Sequence, residues 1–216
     1  MAIVNGYSTL ALVKAAVGIE NADTTDDTAL ENSTEAASRQ IDAHCGKGRK
    51  FWQDATVVAR YYYGCGSIVY VDDISTATGL LVEVDQGDDG TYETSLTINT
   101  DFILHPFNAA AEWPIRPFTR IQLLNGALSH FTPLSSGRPN VKVTAKYGWP
   151  AVPDAVERAC VMQARSIFKA PDAMFGSFSV GIDGQARSIP ALDPTTRALL
   201  EDFVRYEEVD DGTTHD

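Results

Sequence analysis

The chain has 216 residues, with 17 Lys and Arg against 29 Asp and Glu for a formal charge of −12, a size that suits one domain or a small domain carrying an insertion. With 44% hydrophobic and 21% charged residues, it has the composition of a folded globular chain, which excludes the disordered, collagenous and disulfide-scaffold classes. The acidic excess excludes a general polyanion-gripping surface, because holding phosphates takes local cations.

Ser8 stands where it can cap a short helix whose apolar positions Leu10, Val13 and Val17 share a face, and Gly18 follows as a left-handed cap. Thr24 and Asp27 have capping-box spacing, and Leu30, Thr34, Ala37 and Ile41 then line one face before Gly46, predicting a longer second helix. From residue 56 to 147 the pattern changes. Residues 56–63 and 67–71 are β-branched or aromatic and are separated by Gly64-Cys65-Gly66, which punctuates strands. Residues 80–85 and 91–94 flank a five-residue loop with two glycines, predicting a hairpin. Further strands are expected at 101–104, 118–123 and 141–147. Pro153 opens a third helix, with Val156, Ala159, Cys160, Ala164 and Ile167 on one face, expected to stop before Pro171. Asp193 and Pro194 open a fourth, with Leu199, Leu200 and Phe203 as its stripe and Arg205 in its final turn.

The fold class expected is α+β. Each terminal segment supplies only one apolar stripe, so the N-terminal helices (1–50) and C-terminal helices (151–206) are expected to form one small bundle. A β-rich insertion (51–150) projects from it, and an acidic tail (207–216) follows. Acidity grows along the chain, with 5 cations against 7 anions in residues 1–50, 6 against 10 in 51–150 and 6 against 12 in 151–216. The longest apolar stretches, 10–17 and 57–63, are far shorter than the roughly 18 to 20 residues that cross a bilayer, so no membrane partner is expected. The opening MAIVNGYSTL lacks the pattern of a secretory signal, which points to folding in the cytoplasm.

Little in the sequence points to catalysis. Cys45, Cys65 and Cys160 are odd in number and lack CxxC spacing, so reduced thiols are expected in place of a disulfide framework or zinc site. His44, His105, His130 and His215 are scattered without paired-ligand spacing. The run Asp85-Gln86-Gly87-Asp88-Asp89-Gly90 suggests a calcium loop, but Gly87 and Leu96 stand at two ligand positions, and a polar hairpin fits better. Cys65 has no cation or helix start nearby in sequence to activate it. Glu31 and Glu35 share a helix face whose neighbours are solvating, and are expected to be exposed. In the aromatic cluster Phe51, Trp52, Tyr61, Tyr62 and Tyr63, strand alternation sends Tyr61 and Tyr63 one way and Tyr62 the other, which fits core plus subunit contact. No catalytic residue, cofactor or metal ligand is assigned.

Several stretches carry a resemblance. Tyr7-Ser8-Thr9-Leu10-Ala11-Leu12-Val13-Lys14, Thr25-Asp26-Asp27-Thr28-Ala29-Leu30, Ala36-Ala37-Ser38-Arg39-Gln40-Ile41-Asp42 and Cys45-Gly46-Lys47-Gly48-Arg49-Lys50-Phe51 resemble the opening of tailed-phage head-tail connector (adaptor) proteins. Tyr92, Asp101-Phe102-Ile103-Leu104-His105-Pro106, Trp113-Pro114, Val141-Lys142-Val143-Thr144-Ala145-Lys146-Tyr147-Gly148-Trp149 and Val152-Pro153-Asp154-Ala155-Val156-Glu157-Arg158-Ala159 continue it. The likeness extends to about Lys169 and rests on the order and spacing of helix caps, small helical residues and strand ends.

The resemblance implies a non-enzymatic virion protein at the head-tail junction. It would form a homo-oligomeric ring, commonly of twelve copies, between the portal protein and a tail or neck protein, with DNA passing through without sequence-specific binding. It also implies portal docking by the C-terminal segment, here Asp193, Leu199, Leu200, Phe203, Arg205 and Tyr206. An acidic lumen would let DNA slide. Other classes are a carbohydrate-binding accessory β module, which would use Trp113 or Trp52, and an unrecognised hydrolase, which would need Cys65 or His105 in an assembled cluster.

Overall fold

Four α-helices carry the apolar stripes of the two ends of the chain: α1 (Leu10–Val17), α2 (Asp27–Cys45), α3 (Asp154–Gly176) and α4 (Pro194–Leu200). The computed structural model describes residues 3–46, 49–176 and 192–205. The chain divides into a unit of Met1–Arg49 with Asp154–Asp216 and a unit of Lys50–Pro153. Its class is α+β, with an antiparallel sheet.

The helix ends depart from the sequence reading where tertiary contacts intervene. Thr9, not Ser8, caps α1, because its hydroxyl reaches the Leu12 N–H at 3.4 Å while Ser8 is buried one residue earlier. Gly18 closes that helix at φ +89°, its N–H donating to the Lys14 carbonyl. The expected capping box does not form at α2. The helix starts on Asp27 itself, whose carboxylate pairs with Lys14, a partner that local spacing cannot reveal. Helix α3 passes through Pro171 to Gly176 instead of stopping before it. The proline removes one backbone bond, a local penalty outweighed by docking of α3 on α1, α2 and α4. Asp193 caps α4 by accepting the Thr195 N–H at 2.8 Å. A 3-10 turn, Glu201–Phe203, ends this element, so Arg205 lies beyond it and not in its last turn.

In this unit, small residues form the seam. Thr34, Ala37 and Ser38 of α2 and Ala159, Cys160 and Ala164 of α3 are all fully buried, and Ser38 Oγ lies 3.4 Å from Cys160 Sγ. Leu30, Ile41, Val156, Leu200 and Phe203 complete the core. The buried polar side chains along the seam are satisfied by backbone carbonyls. Ser33, Thr34 and Ser38 donate to the carbonyls of Ala29, Leu30 and Thr34 at 2.7 to 2.8 Å. Lys14 is only 2% exposed, and its ammonium donates to the Asn21 and Asp23 carbonyls at 3.2 and 2.7 Å besides pairing with Asp27. The Glu31 and Glu35 face is half-buried, not exposed, because Glu35 Oε1 accepts the Val4 N–H at 2.8 Å.

The second unit holds β1 (Val58–Tyr62), β2 (Ile68–Val84), β3 (Thr94–Leu96), β4 (Phe102–His105), β5 (Phe118–Leu123) and β6 (Val141–Tyr147). The sheet order is β1-β6-β2-β5-β4, with β3 paired to β2 and all these pairings antiparallel. The two strands expected at 67–71 and 80–85 are one strand of 17 residues. Its first half pairs with β5 and its second with β6 and β3, and register shifts after Tyr70 and Thr76 absorb the residues that read as a break. A bulged strand can bend and serve two sheet regions. Val69, Val71, Ile74, Val82 and Val84 of β2 thus join Ile121, Val143 and Tyr147 in one core. The tight connection expected at Gly64-Cys65-Gly66 is present, held by Asn140. The Asn140 Oδ1 accepts the Gly64 N–H at 2.6 Å, and its Nδ2 donates to the Gly64 and Thr132 carbonyls at 2.9 and 2.8 Å.

Candidate functional site

The cysteines and histidines are spread over several elements. Cys45 and Cys160 are buried in the helical unit, where burial pushes the Cys45 thiol up to about 12 and raises that of Cys160. Cys65 is exposed on the β1–β2 connection. His44 lies in the last turn of α2 and His105 ends β4, while His130 Nδ1 lies 2.9 Å from the Ser129 hydroxyl. His215 falls outside the described residues.

The β2–β3 connection spans residues 85–93, longer than the five residues expected, because the paired segment of β3 begins only at Thr94. Asp85 organises it, accepting the Asp88 N–H at 2.8 Å and the Gly90 N–H at 2.9 Å. Asp88 reaches across to Ser135, Ser136 and Arg138, and the serine hydroxyls hold its carboxyl down at about 2. Ligand-capable oxygens of Asp85, Asp89 and Glu93 lie within 4.8 Å of one another, so among the described residues these could hold a cation. Glu93 was not legible as a member because it lies beyond the loop marked by the sequence. The loop geometry is already accounted for by the hydrogen bonds within it.

The C-terminal segment resolves into inward and outward residues. Leu200 and Phe203 are buried, and Phe203 closes the core of the helical unit. Asp193 is exposed, and Leu199 and Arg205 are half-buried. The Arg205 N–H donates to the Cys45 carbonyl at 2.8 Å, tying the segment to the end of α2. Tyr206 lies outside the described residues. Beside this segment, Met162, Arg165, Ser166, Lys169, Ala170, Asp193 and Thr195 line a groove of roughly 520 Å³ between α3 and the start of α4.

The sheet unit leaves large apolar side chains in solvent. On edge strand β1, Val58 and Tyr61 are exposed, as are the flanking Val57 and Tyr63, while Tyr62 turns inward to hydrogen-bond Asp72 at 3.0 Å. That alternation follows the expected faces. Across the outer face, Tyr61 stands opposite Lys142, which pairs with Glu83 at 2.8 Å, and the Tyr61 and Tyr92 rings lie 5.5 Å apart. The connection between β4 and β5 exposes Phe107, Trp113 and Ile115, with Trp113 at 85% the most exposed of the large apolar side chains described. Clusters of exposed aromatic and apolar residues of this kind mark surfaces for macromolecular contact. No helix among the described residues is long and apolar enough to cross a membrane.

No protein-family model matches the chain, and no curated protein matches it. Solved structures do. A chain in the neck of an empty GTA particle computed with C6 symmetry shares 18% identity and a TM-score of 0.53, over 96% of this chain and 94% of that one. A chain in the virion of a native gene transfer agent (GTA) particle shares 19% identity and a TM-score of 0.50, over 96% and 94%. Both are similar in fold along nearly the whole length, helical ends and strand-rich middle alike.

Proposed function

We propose that this protein is a structural, non-enzymatic neck component of a phage-like virion, an adaptor ring between the portal and the tail or next neck protein. The observation that carries this reading is the end-to-end fold likeness to a chain of a GTA particle neck, which spans both units of the chain. The connector-like order of motifs noted in the sequence agrees with it independently. In this reading the terminal helices make one bundle from which the sheet unit projects as an insertion. Copies associate laterally into a ring, commonly of twelve, an order compatible with the sixfold symmetry of the neck that the similar chain comes from.

The exposed aromatic and apolar residues of the sheet unit support oligomerisation, since a lone subunit would leave them in water. Portal docking is assigned to the C-terminal segment through the exposed Asp193, the half-buried Leu199 and Arg205 and the following Tyr206. Leu200 and Phe203 hold that segment's base in the helical core. A ring of about a dozen chains would carry a formal charge on the order of −10², favouring a conduit whose acidic wall repels DNA. The test is native mass measurement of the purified chain with and without portal protein. Rings, or recruitment into rings by portal, are expected. A monomer indifferent to portal refutes the reading, and a lumen lined mainly by Lys and Arg refutes the acidic conduit.

A further inference from the structure

We infer that the β4–β5 loop of one copy docks, Trp113 first, into the α3–α4 groove of a neighbouring copy. This inference rests on the ring reading and names its lateral contact. The loop is built to hold apolar residues outward. Ala109 is fully buried beneath the single 3-10 turn Ala109–Ala111, and the Ala111 N–H donates to the Asn108 carbonyl at 2.8 Å. The Arg116 N–H returns to the Ala109 carbonyl at 3.2 Å, and Arg116 pairs with Glu112 at 3.2 Å. These bonds leave Phe107, Trp113 and Ile115 exposed by 70, 85 and 41%. A pre-ordered loop loses little entropy on docking, and Trp is the residue type most enriched among interface anchors.

The groove is complementary in size, polarity and charge. Its volume of roughly 520 Å³ admits an indole ring and its neighbours. Met162 and Ala170 supply apolar surface, and the exposed cations Arg165 and Lys169 have no ion-pair partner among the described residues. Guanidinium and ammonium groups over an indole face attract its π-electrons. The same two cations answer Glu112 on the loop. Loop and groove are different surfaces, so the contact is heterologous and repeats head to tail, the type of interface that generates a closed ring.

The test uses the full chain and compares lateral association by native mass and sedimentation across a concentration series, with portal added where the free chain stays monomeric. Trp113→Ala should weaken association by about 30-fold or more, the scale of a central aromatic anchor, with thermal unfolding unchanged because the ring touches little in its own chain. Glu112→Lys and Lys169→Glu should each weaken association, and the double variant should recover it. Rings undiminished by Trp113→Ala, or a double variant no better than either single, overturn the docking mode while leaving the ring reading intact. A wild-type chain that stays monomeric even with portal overturns both.

Discussion

Gly148 gives the sharpest quantitative test of the fold. It follows β6 at φ +103°, where L side chains are rarely found, and its N–H donates to the Asp73 carbonyl at 2.7 Å. A Cβ built there would stand 1.8 Å from the Trp52 carbonyl oxygen, a backbone atom flanked by the buried Phe51. Gly148→Ala therefore combines two costs, about 1 to 2 kcal/mol for the positive φ and about 2 kcal/mol or more for displacing packed backbone. Gly137 isolates the first cost in the same unit, since its φ is +70° and nothing lies within 4 Å of a Cβ. Gly137→Ala should lose about 1 kcal/mol and Gly148→Ala about 4 kcal/mol. In urea, with a slope of about 2 kcal/mol/M for a unit of this size, the two midpoints should differ by about 1.5 M. Equal losses would refute the claim that the 51–54 segment is packed against Gly148.

Asn140→Ala should destabilise the sheet unit by about 3 kcal/mol in the same assay, because it leaves the buried Gly64 N–H and two carbonyls without their partner. A thiol reagent at pH 8 should label only Cys65 in the native chain and all three cysteines in denaturant, since Cys45 and Cys160 are buried with raised pKa values. Native labelling of two or more would refute that burial. Asp88 sits at about 2 instead of the ordinary 3.8, so the stability its carboxylate contributes is present above about pH 4 and is lost as pH falls through 2. Asp88→Asn should remove that step, so the stability gap between variant and wild type closes between pH 5 and pH 2. A gap constant over that range would refute the assignment.

The elements whose information is local were legible in the sequence. Periodicity located α1 and α2, and Asp193-Pro194 located the start of α4, because a capping carboxylate followed by a φ-restricted ring is a local signal. Strands β5 and β6 have the expected ends, since each alternates around a single core face. The errors share a cause. Pro171 and the Asp72-Asp73 to Gly79 stretch look like breaks to any local rule, yet docking of α3 and the two-sided pairing of β2 carry the element through. Lys14 is the plainest case. Nothing in its neighbours announces that a lysine in α1 will be buried, and only the placement of Asn21, Asp23 and Asp27 makes it so.

The surface was harder to read, for a physical reason. An apolar stripe states that a face is covered without stating whether the cover is intramolecular. Leu200 and Phe203 belong to the segment to which the resemblance assigned docking, and the structure spends both on the helical core, leaving Asp193 exposed and Leu199 half-buried. Trp113 shows the converse. It lies in a stretch with no periodicity, between Glu112 and Pro114, so pattern gives it no side; only Ala109 buried underneath and the Arg116 return bond turn it into solvent. A surface built from loops is thus set by what the loop hides, and the exposure of Trp113 is decided by a buried alanine and backbone bonds as much as by the aromatic itself.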